Sequence, residues 1–433
     1  MAPCGDSISY HYLLMKRRDF FRLTSAAALT PASLLGAVAG NSDSVQQRTV
    51  LAGTQHRPLP DLGSHGDLFQ TLSAACRPVM SFLEDQFDDI LDWSDQARAY
   101  LVEQFHYAPE PCAPEPEVVE RVDRGSYERR RVLIQTAPGV RIPVYLLVPK
   151  NLSGPAPAVV VLHDHGGFYF WGKEKVVHIE PEHAELAAFK QKYYDGCSVA
   201  DELAERGFVT IAPDMLHWGE RGMVFEADPD RIKERTPAVT KEDIRQFNAR
   251  SWAHEELVSR TAMTCGATWS GIIASDDRRV TDYLLTLPEV DRRRVGCVGL
   301  SLGSVRSIFL GAVHPRVRAA VAVCWMAEYQ PMTLNHVRNG IGFTKLVPGL
   351  YGQLDWPDLA GLHLPGALMT VNGLHDTLYP LEAAQAAVAK VASIFNKAEA
   401  ADQYNGTFFD GPHEFNRQMQ QQAFTWLAEK LAT

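Results

Sequence analysis

Short apolar runs recur along the chain and are separated by segments with helical spacing, which predicts an α/β fold. The runs that we interpret as buried strands are residues 158–162, 208–212, 294–298, 319–324, 366–371 and 407–409. Residues 127–136 and 141–149 are expected to form an antiparallel hairpin before the parallel strands. The pattern therefore predicts a mixed, mostly parallel central sheet that is wrapped by helices.

The segments outside these strands predict an extension and two insertions. Leu83, Phe87 and Leu91 lie at helical spacing, and this pattern predicts a helical extension over residues 40–125 that packs on a main domain over residues 126–433. Residues 168–196 and 217–266 are longer than normal connections. We expect both to be insertions that form a lid over a pocket, since long loops commonly serve this purpose.

The apolar run that ends at Leu300 breaks into a G-x-S-x-G motif, from Gly299 through Ser301 to Gly303. Residues 276–285 predict a helix before this strand, and residues 304–313 predict a helix after it. A strand, a sharp turn and a helix in this order present a serine above the sheet, and only glycine fits beside such a strained residue. Ser301 is therefore the candidate nucleophile.

A serine nucleophile needs a histidine base and a carboxylate that orients the histidine. Asp376 follows the predicted strand at 366–371, and His413 follows the one at 407–409. The order Ser301, Asp376, His413 is the order expected for an α/β-hydrolase fold. The alternatives are that Asp376 is a helix N-cap or turn residue and that His413 lies in a surface loop. The neighbouring His375 is expected to be structural.

An acyl-transfer enzyme also needs backbone amides that face the developing oxyanion. We expect one donor to be the amide of Leu302 and the second to be the amide of Asp164 or His165, in the glycine-rich loop after the strand at 158–162. The sequence does not choose between these two. A rival interpretation is a metal site made of His163, Asp164 and His165, but no further ligands with metal spacing are evident.

These motifs together resemble an α/β-hydrolase of the dienelactone hydrolase and acetyl xylan esterase-like group, from about residue 127 to the C-terminus. The segments that carry the resemblance are the loop at 163–167 with Gly-Lys-Glu-Lys at 172–175, residues 212–214 leading to 219–222, the elbow at 299–303, Asp376 and His413. The resemblance implies a Ser-Asp-His hydrolase that needs no metal and no cofactor. Asp164 and Ser304 depart from the pattern, because glycine is common at both positions.

The N-terminus resembles a twin-arginine export signal over residues 1–39. Lys-Arg-Arg-Asp-Phe-Phe-Arg at 16–22 precedes a modestly apolar run and Ala-Val-Ala at 37–39, and Met15 is an alternative start. A membrane anchor is disfavoured because the apolar run is short and interrupted. We therefore expect a bacterial protein that is periplasmic or extracellular, without stable membrane insertion once the signal is removed.

The composition and the net charge of the chain argue against some classes of binding partner. The chain has 433 residues and a formal net charge of −10, which argues against nucleic acid and anionic membrane surfaces as partners. Its length is sufficient for one large α/β core with insertions. A disulfide between Cys76 and Cys112 is an open alternative, and the oligomeric state is also left open.

Four aromatic residues follow strand ends and are candidates for an acyl or sugar subsite, although they could equally pack the insertions: Phe168, Trp171, Trp218 and Trp325. We interpret the chain as a secreted serine hydrolase that cleaves a small-molecule or glycan ester through an acyl-enzyme on Ser301. The alternatives are a peptidase or amidase on the same fold, and a catalytically silent binding protein.

Overall fold

The structure is a computed structural model that describes residues 61–432, without the side chains of residues 334 and 335. Within that range the strands are β1 Glu117–Asp123, β2 Tyr127–Ala137, β3 Val140–Pro149, β4 Ala156–Leu162, β5 Val209–Pro213, β6 Val290–Leu300, β7 Val317–Val323, β8 Ala367–Gly373 and β9 Tyr404–Phe409. The expected export signal at 1–39 lies outside the described residues.

The α-helices of the same range are α1 Gly66–Ala75, α2 Ile90–Gln104, α3 Ala184–Tyr194, α4 Val199–Glu205, α5 Asp230–Lys233, α6 Lys241–Thr264, α7 Trp269–Leu284, α8 Leu302–Val313, α9 Tyr329–Asn335, α10 Val337–Gly340, α11 Trp356–Gly361, α12 Leu381–Lys397 and α13 Arg417–Lys430. Short 3-10 turns occur at Lys173–Lys175, Gly219–Arg221, Phe343–Lys345 and Ala401–Gln403. Among the described helices, none combines the length and the hydrophobicity that a membrane span requires.

All nine strands form one sheet in the order β1-β2-β3-β5-β4-β6-β7-β8-β9. The pairs β1/β2, β2/β3 and β3/β5 are antiparallel, and the pairs from β5/β4 through β8/β9 are parallel. The predicted fold class and the entry hairpin are confirmed. Because parallel strands share an edge at their carboxyl ends, the segments after β4, β6, β8 and β9 meet at one side of the sheet.

Helices cover both faces of the sheet, as the burial of β4 shows. Val160 and Leu162 join one apolar cluster, whereas Val159 and Val161 join a second one. All four side chains are almost completely buried. This burial on both faces explains why the inner strands are continuous apolar runs rather than alternating ones.

The N-terminal part packs closely on the sheet domain. Trp93 and Leu101 of α2 are fully buried in the main apolar cluster, and the Arg98 guanidinium donates to the backbone oxygens of Ala312 and Leu362. Strand β1 lies within the range that we expected to be a helical extension, and it pairs with β2. Its residues are mostly exposed, so the sequence offered no apolar run by which to recognise this edge strand.

Candidate active site

Ser301 occupies the sharp turn between β6 and α8. Its backbone has φ 57° and ψ −114°, a region that residues other than glycine rarely adopt. Its N–H donates to the Val323 oxygen of the neighbouring strand β7 at 2.8 Å. A strained backbone persists only where its surroundings hold it, and such residues concentrate at functional sites.

The two glycines of the motif are required by close backbone contacts. A Cβ on Gly299 would lie 2.3 Å from the carbonyl carbon of Gly303, and a Cβ on Gly303 would lie 2.0 Å from the oxygen of Leu162. No side chain fits at either position without moving the backbone. The second contact also shows that the first turn of α8 touches the end of β4, directly before the glycine-rich loop at 163–167.

His413 and Asp376 lie together beyond the ends of β9 and β8. The Nδ1 of His413 is 2.6 Å from Oδ2 of Asp376, and the other carboxylate oxygen accepts from the Leu378 amide at 2.9 Å. Both side chains are largely buried. Asp376 does not cap the following helix, because the residue before α12 is Pro380.

A cavity of about 620 Å³ opens above the carboxyl edge of the sheet, a volume that suits a small-molecule ligand. Ser301, His413, Asp164 and His165 all line it, and Asp376 lies behind His413. Four elements far apart in the sequence therefore present the expected catalytic side chains and loop to one space.

The amides expected to bind the oxyanion are those of Leu302 and of Asp164 or His165. Leu302 is the first residue of α8, so its amide has no acceptor within the helix. The Lys175 ammonium donates to the backbone oxygens of Asp164 and His165, at 2.9 Å each. In a trans peptide the N–H points opposite to the C=O of the same peptide group. The His165 N–H shares a peptide group with the Asp164 oxygen and therefore points away from Lys175. The contacts of Lys175 do not fix the direction of the Asp164 N–H in this way.

The carboxylate of Asp164 has partners of its own. It accepts from the Tyr194 hydroxyl at 2.6 Å and lies 3.6 Å from the Lys175 ammonium. Burial lowers the pKa of Lys175 to about 8, against the attraction of Asp164 that raises it. The departure from glycine at this position thus introduces a charge that Lys175 compensates.

The side chains of the neighbouring His163 and His165 have hydrogen-bond partners different from those of Asp164. The ring of His163 is fully buried, with Nε2 accepting from the Met215 amide at 3.2 Å. His165 instead bonds through Nε2 to Glu255 at 2.7 Å. Three different sets of partners hold these side chains, which gives no support to the rival metal interpretation.

A buried cysteine lies beside the histidine–aspartate pair. Sγ of Cys324, Asp376 and His413 each offer a ligand atom within 4.8 Å of the others. Burial raises the pKa of the Cys324 thiol to about 12, and the thiol donates to the oxygen of Glu414. Cys76 and Cys112, for which a disulfide was an open alternative, are both free thiols.

The four aromatic residues expected at the subsite lie elsewhere. Trp171, Trp218 and Trp325 are buried, and Phe168 stacks on Phe189 with ring centroids 4.8 Å apart. None of the four lines the cavity. Because these residues are large and apolar, the fold buries them as packing rather than presents them to a ligand.

The sequence analysis missed most of the cavity wall. Trp252 and Glu255 of α6 line it, and the segment from Val337 to Leu346 supplies a large further part. Helix α6 of the predicted insertion at 217–266 thus reaches the cavity. The connection between β7 and β8 could have been recognised as a cavity-lining segment in the same way, because it is much longer than a normal loop.

The sequence matches the Abhydrolase family over residues 62–399, a range that includes Ser301 and Asp376. This chain belongs to the Abhydrolase family. The family match ends before His413, whose assignment rests on the geometry above.

Individual proteins are similar to this Abhydrolase family member at low sequence identity. "Putative hydrolase YtaP" of Bacillus subtilis (strain 168) is 24% identical over 264 residues, which are 61% of this chain and 75% of that protein. A "putative acetyl xylan esterase" from Bacteroides fragilis superposes with a TM-score of 0.60 at 16% identity, over 79% of this chain and 81% of that one. A glucuronoyl esterase from Solibacter usitatus gives a TM-score of 0.54 at 13% identity, over 82% and 97%. These likenesses show the shared fold.

Proposed function

We propose that this protein is a serine hydrolase that cleaves carboxylic esters. The observation that carries the proposal is the strained Ser301 at a nucleophile elbow, which lines the same cavity as His413, whose ring is held by Asp376. Family membership supports hydrolysis. The names of the similar structures, an acetyl xylan esterase and a glucuronoyl esterase, support an ester of a carbohydrate or another small molecule as substrate.

The reaction would follow the acyl-enzyme route. His413 takes the hydroxyl proton of Ser301 as the oxygen attacks the ester carbonyl, and Asp376 stabilises the imidazolium through Nδ1. The amides of Leu302 and His165 bind the oxyanion. His413 then returns the proton to the leaving alcohol, and it activates the water that releases the acid from the acyl-enzyme.

The proposal also includes a helical extension over residues 40–125, a main domain over residues 126–433 and the expected export route. The described residues form one compact unit, and the expected insertion at 217–266 contributes the α6 wall of the cavity. Residues 1–39 would direct the folded enzyme to the periplasm or the outside of a bacterial cell, as their twin-arginine pattern supports.

Replacement of Ser301 tests the proposal directly. We expect Ser301→Ala to lower kcat on 4-nitrophenyl acetate by about 10⁴-fold or more, because the acyl-enzyme can no longer form. A fluorophosphonate should add to the wild-type protein at Ser301, as shown by intact mass and peptide mapping. Folding of the variant is checked by circular dichroism and thermal unfolding.

Three outcomes would overturn the assignment. A Ser301→Ala protein with wild-type turnover would exclude Ser301 as the nucleophile. A folded wild-type protein that takes no adduct and hydrolyses no ester would favour a silent binding protein, whereas cleavage of amides in preference to matched esters would favour the peptidase alternative.

A further inference from the structure

Among the residues that the structure describes, one charged group of the catalytic cavity has no oppositely charged group within ion-pair distance. Of the charged side chains that line it, Asp164 lies beside Lys175, Glu255 beside His165, and Arg338 beside Asp61. Lys345 is different. Within residues 61–432, no carboxylate oxygen lies within 4.0 Å of its ammonium nitrogen.

Neutral groups hold the Lys345 side chain in place. Its ammonium donates to the backbone oxygen of Gly340 at 2.8 Å and to the Tyr379 hydroxyl at 2.9 Å. An ammonium has three donors, and these two acceptors carry no charge. A buried charge is costly unless it is paired, so an unpaired cation at a ligand cavity points to an anionic ligand.

The position of Lys345 relates it to the proposed reaction. It lines the same cavity as Ser301 and His413, and the ring of Tyr379, its hydrogen-bond partner, has its centroid 6.3 Å from that of His413. Burial lowers the pKa of Lys345 to about 8, against the attraction of the more distant Asp376 that raises it, so the ammonium form still predominates at neutral pH.

The surrounding wall is apolar. Four of the cavity residues that lie near Lys345 in the sequence are aliphatic or aromatic: Val337, Ile341, Phe343 and Leu346. An ion pair is strengthened where water is scarce, and an apolar wall accommodates the uncharged part of a small ester. The protein as a whole is acidic, with a net charge of −10, so attraction of an anion must come from a local group.

We propose that Lys345 is a specificity-determining residue that binds a carboxylate on the ester substrate, so that the enzyme prefers acidic esters to their neutral analogues. This inference rests on the proposed esterase function. The carboxylate could belong to the acyl part or to the alcohol part of the ester, and the binding chemistry is the same for both.

Two matched substrate pairs test the proposal in the wild-type protein. The acid is on the alcohol side in 4-acetoxybenzoate, compared with its methyl ester, and on the acyl side in 4-nitrophenyl hemisuccinate, compared with 4-nitrophenyl pentanoate. We expect kcat/KM to favour the acidic member of at least one pair by tenfold or more. The pair that shows the preference identifies the side. No preference in either pair would overturn the proposal.

Variants assign the preference to Lys345. Lys345→Met should lower the ratio of acidic to neutral kcat/KM at least tenfold, whereas Lys345→Arg should retain most of it. Lys241→Met removes an exposed lysine that pairs with Glu185, and it should change neither the ratio nor the neutral-ester activity. An equal loss for acidic and neutral esters in Lys345→Met, with no change in the ratio, would show a structural role only.

Binding measurements separate this proposal from the proposed function. Benzoate should bind to Ser301→Ala protein at least tenfold more tightly than methyl benzoate, as measured by calorimetry, and the difference should disappear when Lys345→Met is added. This outcome would support a carboxylate site even if no ester is turned over. Equal binding of the two ligands would overturn it even if neutral esters are hydrolysed well.

Discussion

Two histidine–aspartate pairs lie near each other, and they differ in how deeply their side chains are buried. His413, which lines the cavity, and Asp376 are largely buried, whereas His375 and Asp410 are bonded at 2.7 Å with side chains that are 68% and 86% exposed. A buried carboxylate fixes the tautomer of its histidine and stabilises the imidazolium, while an exposed pair is screened by water. The exposed pair therefore serves as a control for the buried one.

We expect Asp376→Asn to lower kcat on 4-nitrophenyl acetate by about 10⁴-fold, because an amide favours the wrong tautomer of His413. Asp410→Asn changes the exposed pair in the same way and should keep kcat close to that of the wild type. Steady-state kinetics of the two variants make the comparison. A value for Asp376→Asn within tenfold of the control would exclude Asp376 as the orienting acid.

At the scale of the elements, the elbow depends on how closely α8 approaches β4 and β6. The contact that a Cβ on Gly303 would make is with backbone, the Leu162 oxygen at 2.0 Å, which has no rotamer by which to move away. The buried ion pair between Arg306 of α8 and Asp277 of α7 fixes the helix further, with nitrogen–oxygen distances of 2.8 and 2.6 Å. The helix cannot shift to admit a side chain without disturbing this pair.

Gly303→Ala should therefore lower the free energy of unfolding by about 3 kcal/mol, the upper end of the usual cost of overpacking. Gly154 is the matched control, since a Cβ there would meet nothing within 4 Å. Gly154→Ala should remain within about 0.5 kcal/mol of the wild type. Urea unfolding followed by tryptophan fluorescence measures both, and equal midpoints for the two variants would contradict the packing argument.

For the whole molecule, one buried lysine links the segments at the start of the two predicted insertions. The ammonium of Lys173 lies 2.8 Å from Glu174 and 2.7 Å from each of Asp214 and Glu220. Burial alone would lower the pKa of Lys173, but the three carboxylates raise it well above its ordinary value. Burial would likewise raise the pKa of Glu220, whereas Lys173 and Arg131 lower it to about 2.

Lys173→Met should cost about 3–5 kcal/mol of stability at pH 7, because it leaves the buried carboxylates of Glu174 and Asp214 without their cation, whereas Glu220 keeps Arg131. The pKa values of Glu174 and Asp214 in the folded state would then lie above the unfolded values. The folded variant would bind more protons than the unfolded chain, so its stability should fall as the pH rises and recover partly at pH 5. Urea unfolding at both pH values checks this.

The exposed pair of Lys241 and Glu185 provides the control for this cluster. Lys241→Met removes the same charge from a side chain that is 77% exposed, so its effect on stability should be small. A Lys173→Met protein as stable as this control at pH 7, or one whose stability rises between pH 5 and pH 7, would contradict the proposed role of the cluster.

Some features of the fold and the candidate site were predictable because they are local. The parallel strands are continuous apolar runs, and the elbow is recognised from glycines only two residues on either side of Ser301. By contrast, β1 was missed because an exposed edge strand needs no apolar face. Lys345 was missed because nothing in its neighbouring residues indicates whether a distant carboxylate will pair with it.

The sequence by itself determined the α/β class, the strand–elbow–helix around Ser301 and the chain order of the candidate catalytic residues, since backbone sterics and hydrophobic periodicity act over a few residues. Only the tertiary structure decided which of two histidine–aspartate pairs is buried, which aromatic side chains are buried as packing, and which lysine lines the cavity without a carboxylate within ion-pair distance among the described residues. These outcomes depend on burial and on contacts between segments hundreds of residues apart, and no short stretch of the chain encodes them.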